Sequence, residues 1–184
     1  MGRVWLRDPA AVPPRNHGTN LVRLEGALLI ADVGFGGRAP RHPLDIAVRN
    51  VPIDDGDAFG EPLRIVDAGE YGIMVQRLIG GRWSNQFSLE LVTAHSSDLE
   101  VANHYQSTAL SSHFRKHLFV GRFRENGRDG LFDRRLSRRD GVETVVETLT
   151  DVDQLARILD HVFGIDPHEH RPTLSRLMEE QECR

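Results

Sequence analysis

The sequence predicts an α+β protein in which an antiparallel β-rich region precedes a helix, a hairpin and a further helix. Three observations support this class. Short apolar runs separated by turn residues occur over residues 18–93, a pattern typical of antiparallel strands that form a small sheet or barrel. From residue 98 the apolar residues recur at helical spacing. After residue 150 a strongly amphipathic segment follows a predicted hairpin.

The composition of the 184 residues is ordinary for a globular protein, with 39% hydrophobic and 27% charged residues. The net charge of −4 gives no electrostatic argument for nucleic acid or an anionic membrane as a partner. We see no apolar signal segment and no run long enough to span a bilayer, so we expect a cytoplasmic protein. The segment His168-Glu169-His170 is interpreted as an exposed loop, and we expect no metal.

The first predicted element is a hairpin. Residues 20–24 and 27–31 are strand-like and flank Glu25-Gly26, where a glycine at the second turn position suits a two-residue connection. The second of these strands is apolar on both faces, which is typical of a central strand. A surface connection rich in Pro, Asp and Gly follows over residues 38–60.

Three more strand-like runs complete the first region, with Gly80-Gly81 between the last two: residues 63–67, 71–79 and 86–93. Asp98 is a predicted helix N-cap. The apolar spacing of the helix that it begins is set by Leu99, Ala102 and Tyr105 or Gln106.

The pattern in the last third of the sequence predicts three strands and a helix. The strands cover residues 118–123, 131–137 and 142–149, with a hairpin turn at Asp140-Gly141. The arginines of residues 134–139 are interpreted as the solvated face of this hairpin, with an anionic cofactor as the alternative. Asp151 and Gln154 form a capping-box pattern, and Gly164 ends the helix. Its apolar face contains Leu155, Ile158, Leu159 and Val162.

The hairpin register brings His17 and Asp32 together. With Glu25-Gly26 as the loop, Asp32 faces Thr19, and His17 is its diagonal neighbour on the same face. A slip of two residues would place the pair directly opposite, whereas a slip of one would separate them. A carboxylate so placed orients an imidazole and stabilises its charged form. The alternative is a loop histidine and an aspartate that merely ends a strand.

The surrounding motifs decide between these alternatives. They are Pro13-Pro14-Arg15-Asn16-His17, Ile30-Ala31-Asp32-Val33-Gly34-Phe35-Gly36-Gly37, Pro43-Leu44, the helix that begins at Asp98, and Ser107-Thr108 with Ser112 and Phe114. Together they resemble the arylamine N-acetyltransferase family, including its N-hydroxyarylamine O-acetyltransferase-like members. The resemblance covers essentially the whole chain and is weaker in the last third.

The resemblance implies a papain-like cysteine-peptidase-type fold. Residues 1–97 would be the antiparallel β-barrel domain that bears the histidine and aspartate, residues 98–117 an interdomain helix, and residues 118–184 an α/β lid. The helical first domain of the family, which bears the catalytic cysteine, has no counterpart in the sequence. The implied reaction is ping-pong: a Cys thiolate takes acetyl from acetyl-CoA and passes it to an arylamine, hydrazine or N-hydroxyarylamine.

The resemblance also implies residue roles. His17 would be the base paired with the cysteine, and Asp32 its orienting carboxylate. Phe35 would line the acceptor pocket, while Gly34 and Gly36 would let the backbone approach the thioester. Contacts to acetyl-CoA are implied for Ser107, Thr108 and Ser112.

The nucleophile is the main departure from the family. The family's Arg-Gly-Gly-x-Cys segment is absent, and the only cysteine is Cys183, next to Glu182 in an acidic segment. Because nearby carboxylates disfavour a thiolate, we do not expect Cys183 to replace it. We therefore expect the chain alone to be inactive, with a start upstream of Met1, a separate helical domain or a full-length paralogue supplying the cysteine.

Three alternatives to this interpretation remain. The chain could be a non-catalytic remnant that binds CoA, an arylamine or a protein partner. It could be a degenerate product that folds poorly. It could also derive from a macrolactam-forming amide synthase, which shares the triad and motifs but uses a bulky acyl chain.

Overall fold

A computed structural model describes residues 1–6, 11–54 and 61–182. The chain divides into two compact units, Met1–Arg115 and Lys116–Arg184. Both units combine antiparallel strands with helices, which confirms the predicted α+β class. The division into barrel, interdomain helix and lid stays a prediction.

Seven strands lie in the described part of the first unit. They are β1 (Gly2–Val4), β2 (Asn20–Leu24), β3 (Ala27–Ala31), β4 (Leu44–Asp45), β5 (Leu63–Asp67), β6 (Ile73–Ile79) and β7 (Arg82–Leu89). Two antiparallel sheets result, with the strand orders β1-β7-β6-β5 and β2-β3-β4. Within the described residues the sheets stay open, so the predicted closed barrel is not found. A physical reason is that β4 pairs with β3 over only two residues and therefore cannot extend the ladder to the other sheet.

The predicted hairpin is confirmed. Asn20 pairs with Ala31 and Leu24 with Ala27, so Glu25 and Gly26 are the two loop residues. Both have positive φ, 50° and 86°, as a tight two-residue turn that matches the strand twist requires. Strand β3 lies between β2 and β4, which confirms that it is central.

The Gly80-Gly81 turn is also confirmed, with φ values of 54° and 77°. Because this turn reverses the chain in two residues, β7 begins at Arg82, earlier than the predicted residue 86, and ends at Leu89 rather than at residue 93.

The two sheets share one hydrophobic core. It contains Ile30, Leu44, Leu63, Ile65, Ile73, Val75, Phe87 and Leu89.

Helix α1 (Ser96–Thr108) begins two residues before the predicted start. The N-cap is His95, and Asp98 is the third residue of the helix, where its carboxylate accepts the His95 backbone N–H at 2.8 Å. This is the acidic half of a capping box rather than an N-cap. Of the helix side chains only Ala102 is buried. A short helix α2 (His113–Lys116) follows.

The second unit is a four-stranded antiparallel meander packed against two helices. Its elements are β8 (Phe119–Arg124), β9 (Gly127–Phe132), β10 (Arg135–Asp140), β11 (Glu143–Thr148), α3 (Val152–Phe163) and α4 (Arg171–Glu182). The core combines one sheet face with one face of each helix, and its buried members are Leu131, Leu136, Leu149, Leu155, Leu159, Leu174 and Met178.

Two strand predictions in this unit were wrong in detail. The predicted strand 131–137 is broken by a turn at Asp133, which has a φ of 54°. The Asp133 carboxylate stabilises this turn, because it accepts the Leu118 N–H at 2.9 Å and contacts His117 Nδ1 at 2.7 Å. The loop between β10 and β11 is Gly141-Val142, one residue beyond the predicted position.

Helix α3 has the predicted caps. The Asp151 carboxylate accepts the Gln154 N–H at 2.8 Å, and Gly164 ends the helix with a φ of 68°. Sequence analysis missed α4. The His168–His170 segment, which was interpreted as an exposed loop, forms a 3₁₀ turn that leads into this helix. Pro172 lies in the first turn of α4, where its missing N–H costs no helical hydrogen bond. In the described part of the chain, no helix has the length and apolar character needed to cross a bilayer.

Candidate active site

The position of His17 is set by a backbone bridge to β1. The Gly2 N–H donates to the His17 carbonyl at 2.7 Å, and the His17 N–H donates to the Gly2 carbonyl at 3.0 Å. A Cβ on Gly2 would lie 2.1 Å from the Ser88 carbonyl oxygen, so only glycine fits between the two neighbouring backbones. Strand β1 therefore ties His17 to β7.

The contact predicted between the two candidate catalytic side chains is present. His17 Nε2 lies 2.5 Å from Asp32 Oδ2, and the two side chains are 9% and 0% exposed. The other carboxylate oxygen, Oδ1, accepts the N–H groups of Gly34 at 2.9 Å and Phe35 at 3.1 Å. Because both oxygens are engaged, the carboxylate is fixed, and as an acceptor it favours a proton on the Nε2 atom that faces it. The lone pair is then on Nδ1, which is the nitrogen that can accept a proton.

Two aromatic rings pack against the imidazole. The Phe35 ring centroid is 5.3 Å from that of His17 in an edge-on arrangement, and the Phe87 centroid is 5.2 Å away. The two phenyl rings lie 5.0 Å from each other. These contacts limit rotation of the imidazole and keep water away from the His17–Asp32 hydrogen bond, which strengthens it.

The glycine-rich loop after Asp32 is held by a buried arginine. Gly36 has a φ of 75°, a conformation that favours glycine. Downstream of Gly36, the Arg77 guanidinium donates to the carbonyls of Arg38, Ala39 and Glu61 at 3.4, 3.3 and 3.0 Å. Arg77 is 1% exposed. Sequence analysis missed it, although a lone arginine in the otherwise apolar end of β6 was a usable signal.

Helix α1 contacts the segment that carries His17. Gln106 Nε2 donates to the carbonyl of Asn16 at 2.7 Å, one residue before the histidine. A Cβ placed on Gly18, one residue after it, would lie 3.9 Å from Leu99 Cδ2 of α1. The sequence placed Gln106 on a helix face without predicting this contact.

The three candidate cofactor contacts lie at the end of α1 and just beyond it. The Ser107 hydroxyl donates to the Asn103 carbonyl at 2.7 Å and that of Thr108 to His104 at 2.5 Å, and both side chains are exposed. The buried Ser112 hydroxyl donates to the Gln106 carbonyl at 2.6 Å. These bonds stabilise the local backbone, and contact with acetyl-CoA stays a prediction. Cys183 lies outside the described residues.

A buried imidazole held by a carboxylate is the arrangement that triad enzymes use for proton transfer to and from a nucleophile. The sequence profile of the N-acetyltransferase family matches residues 1–170. The chain therefore belongs to the arylamine N-acetyltransferase family.

Individual relatives agree with this assignment. The arylamine N-acetyltransferase of Escherichia coli K12 is 30% identical over 96% of this chain. The structure of arylamine N-acetyltransferase from Salmonella typhimurium superposes with a TM-score of 0.87 at 27% identity, over 98% of this chain and 66% of that one. The Mycobacterium marinum enzyme in complex with CoA also gives 0.87 at 27% identity, over 97% and 66%. The chain spans 63% of the length of the E. coli relative.

Proposed function

We propose that the chain supplies the histidine and aspartate of an arylamine N-acetyltransferase active site. His17 is the proton-transfer group and Asp32 the positioning carboxylate. The observation that carries the proposal is the buried 2.5 Å contact between His17 Nε2 and Asp32 Oδ2. The acyl donor is acetyl-CoA, and the acceptor is an arylamine, hydrazine or N-hydroxyarylamine.

The mechanism follows from the nitrogen that Asp32 leaves available. His17 Nδ1 takes the proton from a thiol, and the resulting imidazolium is stabilised by the Asp32 carboxylate. The thiolate attacks the acetyl carbonyl, and the bond to the CoA sulfur breaks. The CoA thiolate leaves and takes the proton from the His17 imidazolium, which returns His17 to its neutral form. In the second half-reaction the amine nitrogen attacks the enzyme thioester, His17 accepts the amine proton, and the acetyl group leaves on nitrogen while the thiol re-forms.

The thiol of this mechanism is proposed to come from outside these 184 residues. Cys183 is the single cysteine of the sequence, and three acidic residues within the preceding four disfavour its thiolate form. A ping-pong reaction without the nucleophile loses nearly all of its rate, because the members of a triad act as a unit. The purified chain should therefore transfer no acetyl group by itself.

We infer where the arylamine and acetyl-CoA bind from the residues that lie near His17. Phe35 lies against the imidazole, so a flat aromatic amine stacked on it would place its nitrogen near the reacting carbonyl. Gly34 and Gly36 keep Cβ atoms away from this approach. The M. marinum relative was solved in complex with CoA. We infer acetyl-CoA contacts here for Ser107, Thr108 and Ser112.

The test supplies the missing thiol. The Cys-bearing helical domain that the family resemblance implies is taken from the E. coli relative and fused ahead of Met1, and acetyl transfer from acetyl-CoA to an arylamine is measured. The unfused chain and three fused variants, His17→Ala, Asp32→Asn and Asp67→Asn, are measured beside it. Asp67 is an exposed aspartate at the end of β5, so Asp67→Asn is the matched control.

We expect transfer by the fusion and by its Asp67→Asn variant, and none above background by the unfused chain. Transfer should fall at least about a hundredfold in His17→Ala, the usual scale of losing a proton-transfer group. A folded fusion whose transfer survives His17→Ala would contradict the proposal. Transfer by the unfused chain that is lost in Cys183→Ser would place the nucleophile at Cys183 instead.

A partner-binding role is the second candidate, because apolar side chains lie exposed on two elements of the first unit. Leu24 on β2 is 57% exposed and Val101 on α1 is 71% exposed. Leu21 and Val22 of β2 are also exposed, at 37% and 42%, and contiguous exposed apolar surface is typical of protein interfaces. Binding of an apolar-surface dye to the chain, and its loss when the Cys-bearing segment is fused, would support this role for the surface.

A further inference from the structure

The second unit contains a charged cleft that the proposed function does not use. It has a volume of about 390 Å³ and lies beside the carboxyl end of α3. The lining residues come from β8, β9, β10 and α3, and they are Arg122, Arg124, Asp129, Arg138, Asp140, His161 and Val162.

Three of these residues form one row across the sheet. Arg122 on β8 pairs with Asp129 on β9, and Asp129 pairs with Arg138 on β10. Side chains of directly paired positions lie on the same face, about 5 Å apart at Cβ. The cleft therefore has an aspartate at its centre with an arginine on each side.

The carboxylates of the cleft are engaged by a third arginine. Arg124 Nε lies 3.1 Å from Asp129 Oδ2, and its NH1 group lies 2.7 Å from Asp140 Oδ1. The hydrogen bond to Asp140 raises the pKa of the Arg124 guanidinium above its usual value, with Asp129 adding to the effect. Arg124 thus forms ion pairs with both carboxylates of the cleft, those of Asp129 and Asp140.

The positive charges of Arg122 and Arg138, the two arginines of the row, are not neutralised by an ion pair within the described residues. Arg122 donates through NH1 to the carbonyl of Val162 at 2.8 Å, a neutral acceptor at the end of α3. Within the described ranges, Arg122 and Arg138 form no ion pair. Three arginines against two carboxylates leave the cleft with an excess positive charge, concentrated on Arg122 and Arg138.

Asp129 adds an unsatisfied acceptor. The residue is 5% exposed, and its Oδ1 has no hydrogen-bond partner in the part of the chain that the structure describes. A buried carboxylate oxygen without a donor is costly, so a group that supplies an N–H or O–H is expected there. The cleft therefore offers two cationic donors and one acceptor to the same small ligand.

We propose that this cleft binds a phosphate group that still carries a hydrogen, either as inorganic phosphate or as the monoanion of a phosphate monoester, which loses its last hydrogen with a pKa of about 6. The ionised oxygens accept from the Arg122 and Arg138 guanidiniums. The P–OH group donates to Asp129 Oδ1. Sulfate has the same size and shape but has no hydrogen to donate at neutral pH, so its oxygens would face the carboxylate repulsively. The site thus distinguishes phosphate from sulfate through Asp129.

Binding is tested on the full 184-residue chain by backbone-amide NMR. Phosphate, glycerol phosphate and sulfate are titrated separately at about pH 6, where much of the monoester keeps its hydrogen, and at constant ionic strength with chloride as the reference salt. We expect saturable shifts in β8–β10 and at the end of α3, with phosphate binding about tenfold or more tighter than sulfate, the effect of one charge-assisted hydrogen bond. Tighter binding of glycerol phosphate than of phosphate would identify a monoester as the ligand, and the reverse order would identify free phosphate.

Three variants separate the proposal from general charge attraction. Arg138→Ala should abolish the saturable shifts. Arg135→Ala removes an equal charge from the opposite face of the same strand and should leave them unchanged. Asp129→Asn places an amide donor where the carboxylate was and should reverse the order, so that sulfate binds at least as tightly as phosphate. Retained amide dispersion in each variant checks the fold.

Non-saturating shifts that follow ionic strength, or equal affinity for phosphate and sulfate in the parent chain, would overturn the proposal. So would saturable binding that persists in Arg138→Ala. All the residues concerned belong to the second unit, whereas the candidate catalytic pair belongs to the first. A negative result here therefore leaves the proposed acetyltransferase function untouched, and loss of transfer in His17→Ala does not affect this site.

Discussion

Replacing Asp32 by asparagine should invert the tautomer of His17. In the parent chain the carboxylate accepts from His17 Nε2 and from the N–H groups of Gly34 and Phe35. The asparagine can keep its oxygen on the two backbone groups, which places its NH₂ donor against Nε2. Nε2 must then accept, so the imidazole proton moves to Nδ1, the position from which a thiol proton would be taken.

The energetic cost follows from the same three bonds. Asparagine exchanges one charge-assisted hydrogen bond for a neutral one, so we expect a loss of about 1–2 kcal/mol in the free energy of unfolding. Alanine leaves one buried donor and two partly buried donors without an acceptor, at about 1–3 kcal/mol for a buried one and less for the others, so Asp32→Ala should lose about 3 kcal/mol. The exposed control Asp67→Asn should stay within about 0.5 kcal/mol of the parent.

Urea unfolding gives the stabilities, and the ¹⁵N shifts of the His17 ring nitrogens give the tautomer. We expect a protonated Nε2 in the parent chain and a protonated Nδ1 in Asp32→Asn. Unchanged ¹⁵N shifts in a folded Asp32→Asn would refute the reasoning. So would an Asp32→Ala variant as stable as Asp67→Asn, because the carboxylate would then not be the acceptor for these donors.

Four further predictions concern the supports of the site and one helix cap. Gly2→Ala should destabilise the chain by about 1–3 kcal/mol in urea unfolding, because its Cβ would lie 2.1 Å from a backbone oxygen of β7. Gly26→Ala is the matched control, with a positive φ of 86° but open space around the new atom, and should lose only about 1 kcal/mol. Arg77→Met leaves three backbone carbonyls without their donor and should lower the unfolding free energy by about 3 kcal/mol or more; an unchanged midpoint would mean that water replaces the guanidinium. Gln106→Leu should cost about 1 kcal/mol and shift the amide resonances around His17, whereas shifts confined to α1 would contradict a positioning role. The backbone hydrogen bond from Gln154 lowers the pKa of Asp151, so the unfolded chain binds the proton more readily. The stability advantage of the parent over Asp151→Asn should therefore shrink as the pH falls below about 4, and a pH-independent difference would contradict this.

The candidate pair could be predicted from sequence because its geometry is local. Two residues of turn, Glu25-Gly26, fix the register of one hairpin, and that register fixes which side chains meet. This register brings His17 and Asp32 to the same end of the hairpin, and the backbone bridge between Gly2 and His17 fixes the 2.5 Å contact. The caps of α3 were equally local, since Asp151 and Gln154 are three residues apart.

The features that sequence analysis missed depend on distant parts of the chain. Arg77 reaches the glycine-rich loop about 40 positions earlier, and no local pattern indicates that contact. The open sheets of the first unit likewise depend on how far β4 extends, which the apolar pattern does not encode. Asp133 was predicted to lie within a strand but forms a turn. Its carboxylate accepts the N–H of Leu118, 15 positions earlier, and no local pattern indicates this contact.

The short strand β1 has a practical consequence for handling the protein. Its first residue hydrogen-bonds the backbone of His17, and there is no space beside it for even a methyl group. Any polypeptide joined ahead of Met1, including an affinity tag or a protease-cleavage remnant, therefore begins one residue from the backbone bridge that positions His17. Purification handles therefore belong after α4, which leaves the amino end for the Cys-bearing segment of the fusion.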